Sequence, residues 1–264
     1  MEKIRNLTII GMGVVGSAVY ANCNLDTIHC YDKHTHLGLF TDQNIWTDAV
    51  FVCVDTPMQE LGKQDASKLF DILLKLEQQE YKGIIIVKST VLEETLKDFG
   101  LNIVYNPEFL TARNAVDDMK SESYIILGGD IIHTKRVAAL YKNCFDFSYA
   151  EKVVEFEFCS IKEAIDFKYM RNIHQAWNVS FWEMMNDLDM NAGKMSMMLS
   201  QMPVEENSNI SQDGYRGYGQ SFNNDRKDFS ACLDKDVGAM LFKHKHKLLN
   251  ALNDYNQSLL VYGC

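Results

Sequence analysis

Residues 7–16 read Leu7-Thr8-Ile9-Ile10-Gly11-Met12-Gly13-Val14-Val15-Gly16, and this stretch decides the fold. Four strand-forming residues run straight into glycines spaced G-x-G-x-x-G, and a helix-compatible run over residues 14–21 follows. Strand, glycine turn and helix in that order form the local signature of a dinucleotide-binding βαβ unit. Gly11 allows the tight turn, Gly13 lets the backbone approach a pyrophosphate, and Gly16 packs helix against strand. The helix start at Val14 and Val15 offers free N–H groups and a positive dipole end to phosphate. The next strand-like run, residues 27–31, ends at Asp32, where a carboxylate binds ribose hydroxyls. An acid there predicts NAD over NADP, because it repels a 2′-phosphate. His34 does not replace the arginine that NADP needs.

Outward from this turn, short apolar runs read as strands at 7–10, 27–31, 50–54, 84–87, 103–105 and 124–127. Helical stretches separate them at 14–21, 66–77, 92–97 and 135–142. Such alternation predicts βαβ units and a parallel sheet covered on both faces. Unbroken runs such as Ile84-Ile85-Ile86-Val87 fit strands buried on both sides. The pattern changes after about residue 155. Residues 161–188 read as one long helix without Gly or Pro, interrupted afterwards by Gly193 and Pro203. Residues 204–220 read as a polar loop, and from Phe229 the chain is helical again. The fold class expected is α/β: a Rossmann-type parallel-sheet domain over 1–155, then a smaller all-α domain over 156–264.

Composition narrows the function classes. Asp plus Glu is 36 against 26 Lys plus Arg, a net charge of -10, which disfavours nucleic acid as a partner. No apolar run approaches the roughly 20 residues of a membrane span, and the first strand starts too early for a signal peptide. The 7 cysteines are odd in number and form no C-x-x-C pair, as expected of reduced thiols in a cytoplasmic protein without a metal site. His244 and His246 point in different directions on a helix, so 243–247 reads as a solvated cationic face. The methionines between Met184 and Met202 read as adaptable packing.

Three further motifs fall at the carboxyl ends of later strands, where open α/β sheets bind ligands. They are Val54-Asp55-Thr56-Pro57, Lys88-Ser89-Thr90-Val91 and Asn106-Pro107-Glu108-Phe109-Leu110. In this order after a G-x-G-x-x-G they resemble the nucleotide-sugar dehydrogenases, such as the UDP-glucose and GDP-mannose 6-dehydrogenases. The resemblance continues through residues 164–172 and 179–183 and reaches Asp213-Gly214-Tyr215-Arg216-Gly217-Tyr218-Gly219. It implies NAD as cofactor, with Thr56, Pro57 and Thr90 beside it, and a nucleotide sugar or other small polyol as substrate. It also implies that Phe109, Leu110, Tyr218 and Gly219 line the substrate site. Lys168 and Asn172, on one helix face at i and i+4, would hold the developing oxyanion. Thr90 and Glu108 match the residues that order a water and manage protons, and Asp228 matches a further catalytic acid. The family dimerises through its central helices, so a homodimer through the helical domain is expected; Leu248, Leu249 and Leu252 read either as part of a dimer face or as packing within one chain.

The chain also departs from the family. The family's second oxidation uses a cysteine in a G-x-G-G-x-C-F-P-K-D loop, whereas residues 217–228 contain none. Anchored upstream, Ser221 replaces the thiol; anchored on Lys227-Asp228, which Ala231 favours, Asn224 does. Neither is a competent nucleophile by itself. Ala112 stands where the family has a second glutamate and Asp55 stands for a proline, and set against the family the 264 residues are expected to reach only about the end of its central helices. The reading is therefore an NAD-dependent oxidoreductase limited to one alcohol–aldehyde step. Two alternatives remain: a catalytically silent NAD-binding or partner-binding homologue, and a small hydroxy-acid dehydrogenase, which also uses a K-x-x-x-N helix.

Overall fold

The structure is a computed structural model, and it describes residues 3–34, 45–59, 62–187, 191–200 and 231–262. The chain divides into two compact units: Met1–Pro57 with Asp65–Lys168, and Met58–Gln64 with Tyr169–Cys264.

The first unit is built on a seven-stranded sheet. Its strands are β1 (Asn6–Ile10), β2 (Thr27–Tyr31), β3 (Ala49–Val52), β4 (Ile84–Val87), β5 (Ile103–Tyr105), β6 (Tyr124–Gly129) and β7 (Glu155–Cys159). Their spatial order is β2-β1-β3-β4-β5-β6-β7. The β3 and β4 side chains are all fully buried, as expected when helices cover both faces. Those helices are α1 (Val14–Asn22), α2 (Ser67–Gln78), α3 (Ala115–Ser121) and α4 (Ile131–Cys144). In α2 the buried residues Leu69, Ile72, Leu73 and Leu76 recur at helical spacing and form one apolar stripe.

The sheet is parallel except between β5 and β6, which run antiparallel. The Rossmann-type, mostly parallel sheet expected from the sequence is present, with this one antiparallel pairing in it. The β5–β6 connection places its short helix α3 against α1 and does not lead the chain back to the starting edge of the sheet. Strands β6 and β7 are again parallel to each other, joined through α4. The sheet thus runs past residue 155. The alternating Glu155-Phe156-Glu157-Phe158-Cys159 was not read as a strand from the sequence, nor α3 as a helix. Residues 92–97 contain only the 3-10 turn Glu93–Thr95. Cys23, Cys30, Cys53, Cys144 and Cys159 are free thiols. Burial pushes the Cys53 thiol up to about 12, with the charge of Lys88 acting against it.

The second unit is helical. Helix α5 (Ile161–Asp187) continues into it, followed by α6 (Ala192–Ser200), α7 (Ala231–His244) and α8 (Lys247–Tyr262). Gly193 does not break the chain here as expected; it lies in the first turn of α6, where a helix tolerates glycine. Ala176 and Val179 of α5 pack with Leu233 and Val237 of α7 and Leu252 of α8 in a small core. The short excursion Met58–Gln64 belongs to this unit. Its ends pair at Met58 and Gln64, and Gln64 Nε2 donates to the Tyr169 hydroxyl at 3.2 Å. Gly62 comes so close to Gly238 that an added Cβ would lie 2.8 Å from the Gly238 carbonyl oxygen. Pro203 and the 204–220 loop lie outside the described residues. No helix among the described residues is long and apolar enough to cross a membrane.

Candidate functional site

The order β2-β1-β3 makes the carboxyl ends of β1 and β3 a topological switch point, the place where open α/β sheets leave a ligand crevice. Gly11 forms the turn there with φ +92°, a conformation that L side chains rarely adopt. Its N–H donates to the Tyr31 carbonyl at 2.8 Å, and the Cys53 N–H donates to the Ile10 carbonyl at 2.8 Å, so the turn is tied to both neighbouring strands. A Cβ on Gly11 would lie 2.7 Å from the Cys53 carbonyl oxygen, and one on Gly16 would lie 1.9 Å from the Gly11 carbonyl oxygen. Gly13 differs: a Cβ there would meet nothing within 4 Å. It is the N-cap of α1, carries no side-chain cap, and opens a helix with no acid in its first turn. Val14 and Val15 follow it, Val14 largely exposed and Val15 partly buried. The arrangement is an open backbone cradle at a positive helix end, and it fits a pyrophosphate. Asp32 closes the turn from β2, with Oδ2 accepting from the Met12 N–H at 2.7 Å and Oδ1 from the His34 N–H at 2.7 Å.

The turns after β3 and β4 are stitched to each other. The Thr56 hydroxyl donates to the Thr90 carbonyl at 2.7 Å, and the Ser89 hydroxyl to the Val54 carbonyl at 2.6 Å. Thr56 and Thr90 are buried, and Pro57 is exposed. Asp55 is paired with Lys68 of α2 at 2.6 Å. The hydrogen bond from Lys68 holds the Asp55 carboxyl below its ordinary value. The departure at Asp55 therefore adds a neutralised pair and not a bare anion.

A second group of side chains lies at the ends of β4 and β5. Lys168, on the last turn of α5 within the first unit, donates to the Glu108 main-chain carbonyl at 2.6 Å and pairs with Glu108 Oε1 at 3.1 Å. Glu108 Oε2 accepts from the Leu110 N–H at 2.9 Å. Burial works to raise the Glu108 carboxyl. The charge of Lys168 and the Leu110 N–H outweigh it and hold the group below its ordinary value. The Lys168 ammonium also lies 5.2 Å from the centroid of the Phe109 ring, which packs edge-on against Phe167. Phe109 and Leu110 are thus partly buried beside the pair. Beneath it, Lys88 Nζ donates to Asn106 Oδ1 at 2.8 Å, and the Tyr141 hydroxyl donates to the same oxygen at 2.6 Å.

Asn172 lies one turn beyond Lys168 on α5, within the second unit. Its Nδ2 donates to Asp236 Oδ2 of α7, and both residues are buried. Asp236 Oδ1 is buried without a hydrogen bond and lies 3.4 Å from Lys235 Nζ. Tyr218, Gly219 and Asp228 lie outside the described residues, as do Ser221 and Asn224. The structure thus brings Glu108, Phe109, Leu110 and Lys168 together, and separately Gly11, Gly13, Gly16 and Asp32. Sequence reasoning missed Lys88, Asn106, Tyr141 and Asp236 as part of these surroundings. Lys88 and Asn106 open two quoted motifs, so a signal existed for them. Tyr141 and Asp236 carried none.

Residues 33–145 match the model of the UDP-glucose/GDP-mannose dehydrogenase family, NAD binding domain. Over those residues the chain is similar to the NAD-binding domain of that family. UDP-glucose 6-dehydrogenase of Rickettsia prowazekii is 28% identical over 220 residues, 79% of this chain and 48% of the relative. An uncharacterised protein of Methanocaldococcus jannaschii is 30% identical over 146 residues, 51% of this chain and 16% of that one. The chain therefore spans about half the length of the family's UDP-glucose 6-dehydrogenase that it matches. Among solved structures, a UDP-glucose dehydrogenase from Pyrobaculum islandicum superposes with TM-score 0.72 at 18% identity, covering 98% of this chain and 68% of that one. A GDP-mannose dehydrogenase from Pseudomonas aeruginosa gives TM-score 0.62 at 17% identity, covering 97% and 69%. At such identities the superpositions show a shared fold alone.

Proposed function

We propose that the chain is an NAD-dependent oxidoreductase acting on the CH–OH group of a nucleotide sugar and performing one alcohol-to-aldehyde oxidation. The observation that carries this reading is the part-buried Lys168–Glu108 pair at the carboxyl ends of the strands, in the same unit as the open glycine cradle. Gly11, Gly13 and Gly16 with the N-terminus of α1 would hold the pyrophosphate, and Asp32 the adenosine ribose. NAD, when bound, supplies the acceptor for the hydride. Lys168 would donate to the alcohol oxygen as its proton leaves, a preorganised cation where negative charge develops. Glu108, held ionised at neutral pH, would accept that proton through a water ordered with Thr90. Phe109 and Leu110 would line the sugar side.

The restriction to one oxidation is supported by the absence of cysteine from residues 217–228. In this reading residues 1–155 form the cofactor domain and 156–264 the substrate and dimerisation domain of a cytoplasmic homodimer. Exposed Met170, Trp177 and Phe181 on α5 support association through the helical part. The test is NADH formation with UDP-glucose or GDP-mannose, following calorimetric titration of each. The expected result is aldehyde-level product and a loss of roughly 10²–10³-fold in turnover in Lys168→Ala, the scale for removing one oxyanion donor. Full conversion to the uronate by the pure protein would remove the one-step restriction.

A catalytically silent NAD-binding protein is the second reading. The observation favouring it is that the Asn172 amide is already committed to Asp236. Binding of NAD without reduction by any sugar nucleotide would establish it.

A further inference from the structure

Lys88 follows the last residue of β4 and is only 3% exposed. Its ammonium donates to Asn106 Oδ1 at 2.8 Å and reaches the Tyr141 hydroxyl at 3.4 Å. It also lies 5.9 Å from the centroid of the Tyr141 ring. These hydrogen-bond partners are all neutral, and the carboxylates of Glu122 and Glu108 act on the ammonium through their charge. Burying an ammonium among neutral groups is costly, and a residue of the same length without charge would fill the space. The position of the charge therefore calls for a reason.

Asn106 supplies one. Its Oδ1 accepts from Lys88 and from Tyr141, which uses both lone pairs of that oxygen. Its Nδ2 donates to the Ile126 carbonyl of β6 at 2.9 Å. One side chain is thereby held from the end of β4, from α4 and from β6. Pro107 comes next, with φ locked by its ring, and a residue before proline is itself restricted. The setting of Asn106 is thus passed along a stiff dipeptide to Glu108, whose main-chain carbonyl and carboxylate both meet Lys168.

We propose that Lys88 is the positioning residue for Glu108: its ammonium and the Tyr141 hydroxyl clamp Asn106, and that clamp sets the turn on which Glu108 meets Lys168. The catalytic consequence rests on the reading of Glu108 given above, but the clamp does not. Electrostatics agree with the geometry. Burial pushes Lys88 down, with Glu122, Cys53 and Glu108 acting against it, and the charge of Lys88 is among those that hold the Glu108 carboxyl low.

The experiment is a pH titration of the Glu108 carboxyl by carbon NMR in the full chain with labelled glutamate, assigned with Glu108→Gln. It is run on the native protein, Lys88→Met and Tyr141→Phe. The expected result is an upward shift of the Glu108 midpoint in Lys88→Met and a smaller upward shift in Tyr141→Phe, which keeps the charge and loses one arm of the clamp. Unchanged midpoints in both variants would overturn the proposal. If Lys88→Met does not fold, the Tyr141→Phe midpoint decides: a rise supports the clamp and an unchanged value refutes it. Neither cofactor nor substrate is present, so a failure of the oxidoreductase reading would show as missing turnover and leave this titration unaffected.

Discussion

The turn after β1 and the cluster after β4 and β5 solve the problem of holding a group in place by opposite means. The first is made almost wholly of backbone. Gly11, Gly13 and Gly16 contribute no side chains, and one carboxylate, Asp32, closes the turn. The second is made of side chains drawn from four elements or their ends, with two lysines, Lys88 and Lys168, buried around one short turn. Backbone sites are fixed by sterics and are tolerant of pH. Side-chain sites depend on charge, and their geometry fails when one member changes protonation.

Three measurements sharpen or break this contrast. The largest effect is expected from Gly16→Ala. The new Cβ would lie 1.9 Å from the Gly11 carbonyl oxygen, a backbone atom that can move only with the turn. Overpacking of this kind destabilises by roughly 1–3 kcal/mol or more, read as a lower urea midpoint. The next effect belongs to the side-chain cluster and to acid. The Glu108 carboxyl in the fold lies below its ordinary 4.5, so the stability it contributes is complete above that value. It is lost as pH falls through the lower folded value. The gap in urea midpoint between the native protein and Glu108→Gln should therefore narrow on acidification, and a gap that widens would break the comparison. The smallest effect on stability is expected from Gly13→Ala, within about 0.5 kcal/mol, because the added methyl meets nothing. Affinity for NAD, measured by calorimetry, should fall in the same variant, since the methyl would occupy the cradle.

The same contrast explains how much was legible beforehand. A glycine turn is encoded within ten residues, so the strand, the turn and α1 could be read directly, and Asp32 by its distance from them. Glu108 and Lys168 are 60 residues apart, and no local rule joins them. They came into view only through a family resemblance. Tyr141 was hidden for the same reason, being 35 residues from Asn106 and on a helix that carries no motif. The antiparallel β6 was missed because strand direction is set by the path of the connection, and hydrophobic patterning does not record it. Strand β7 did carry a period-two signal in Glu155-Phe156-Glu157-Phe158, but it begins just where the pattern of the chain changes. Gly193 was read as a breaker, yet one glycine in the first turn of a short helix costs only about 1 kcal/mol relative to alanine.

The seven residues Met58–Gln64 have a practical consequence. They leave the sheet-bearing unit after Pro57, count among the helical unit, and return at Asp65, so the polypeptide changes unit three times along its length. Anyone wishing to excise the Rossmann half by stopping at Lys168 would leave this excursion behind without the helix carrying Gly238 that it abuts. A separable piece would need the excursion replaced by a short bypass as well, and grafting the helical half onto another scaffold would need it supplied as a second segment.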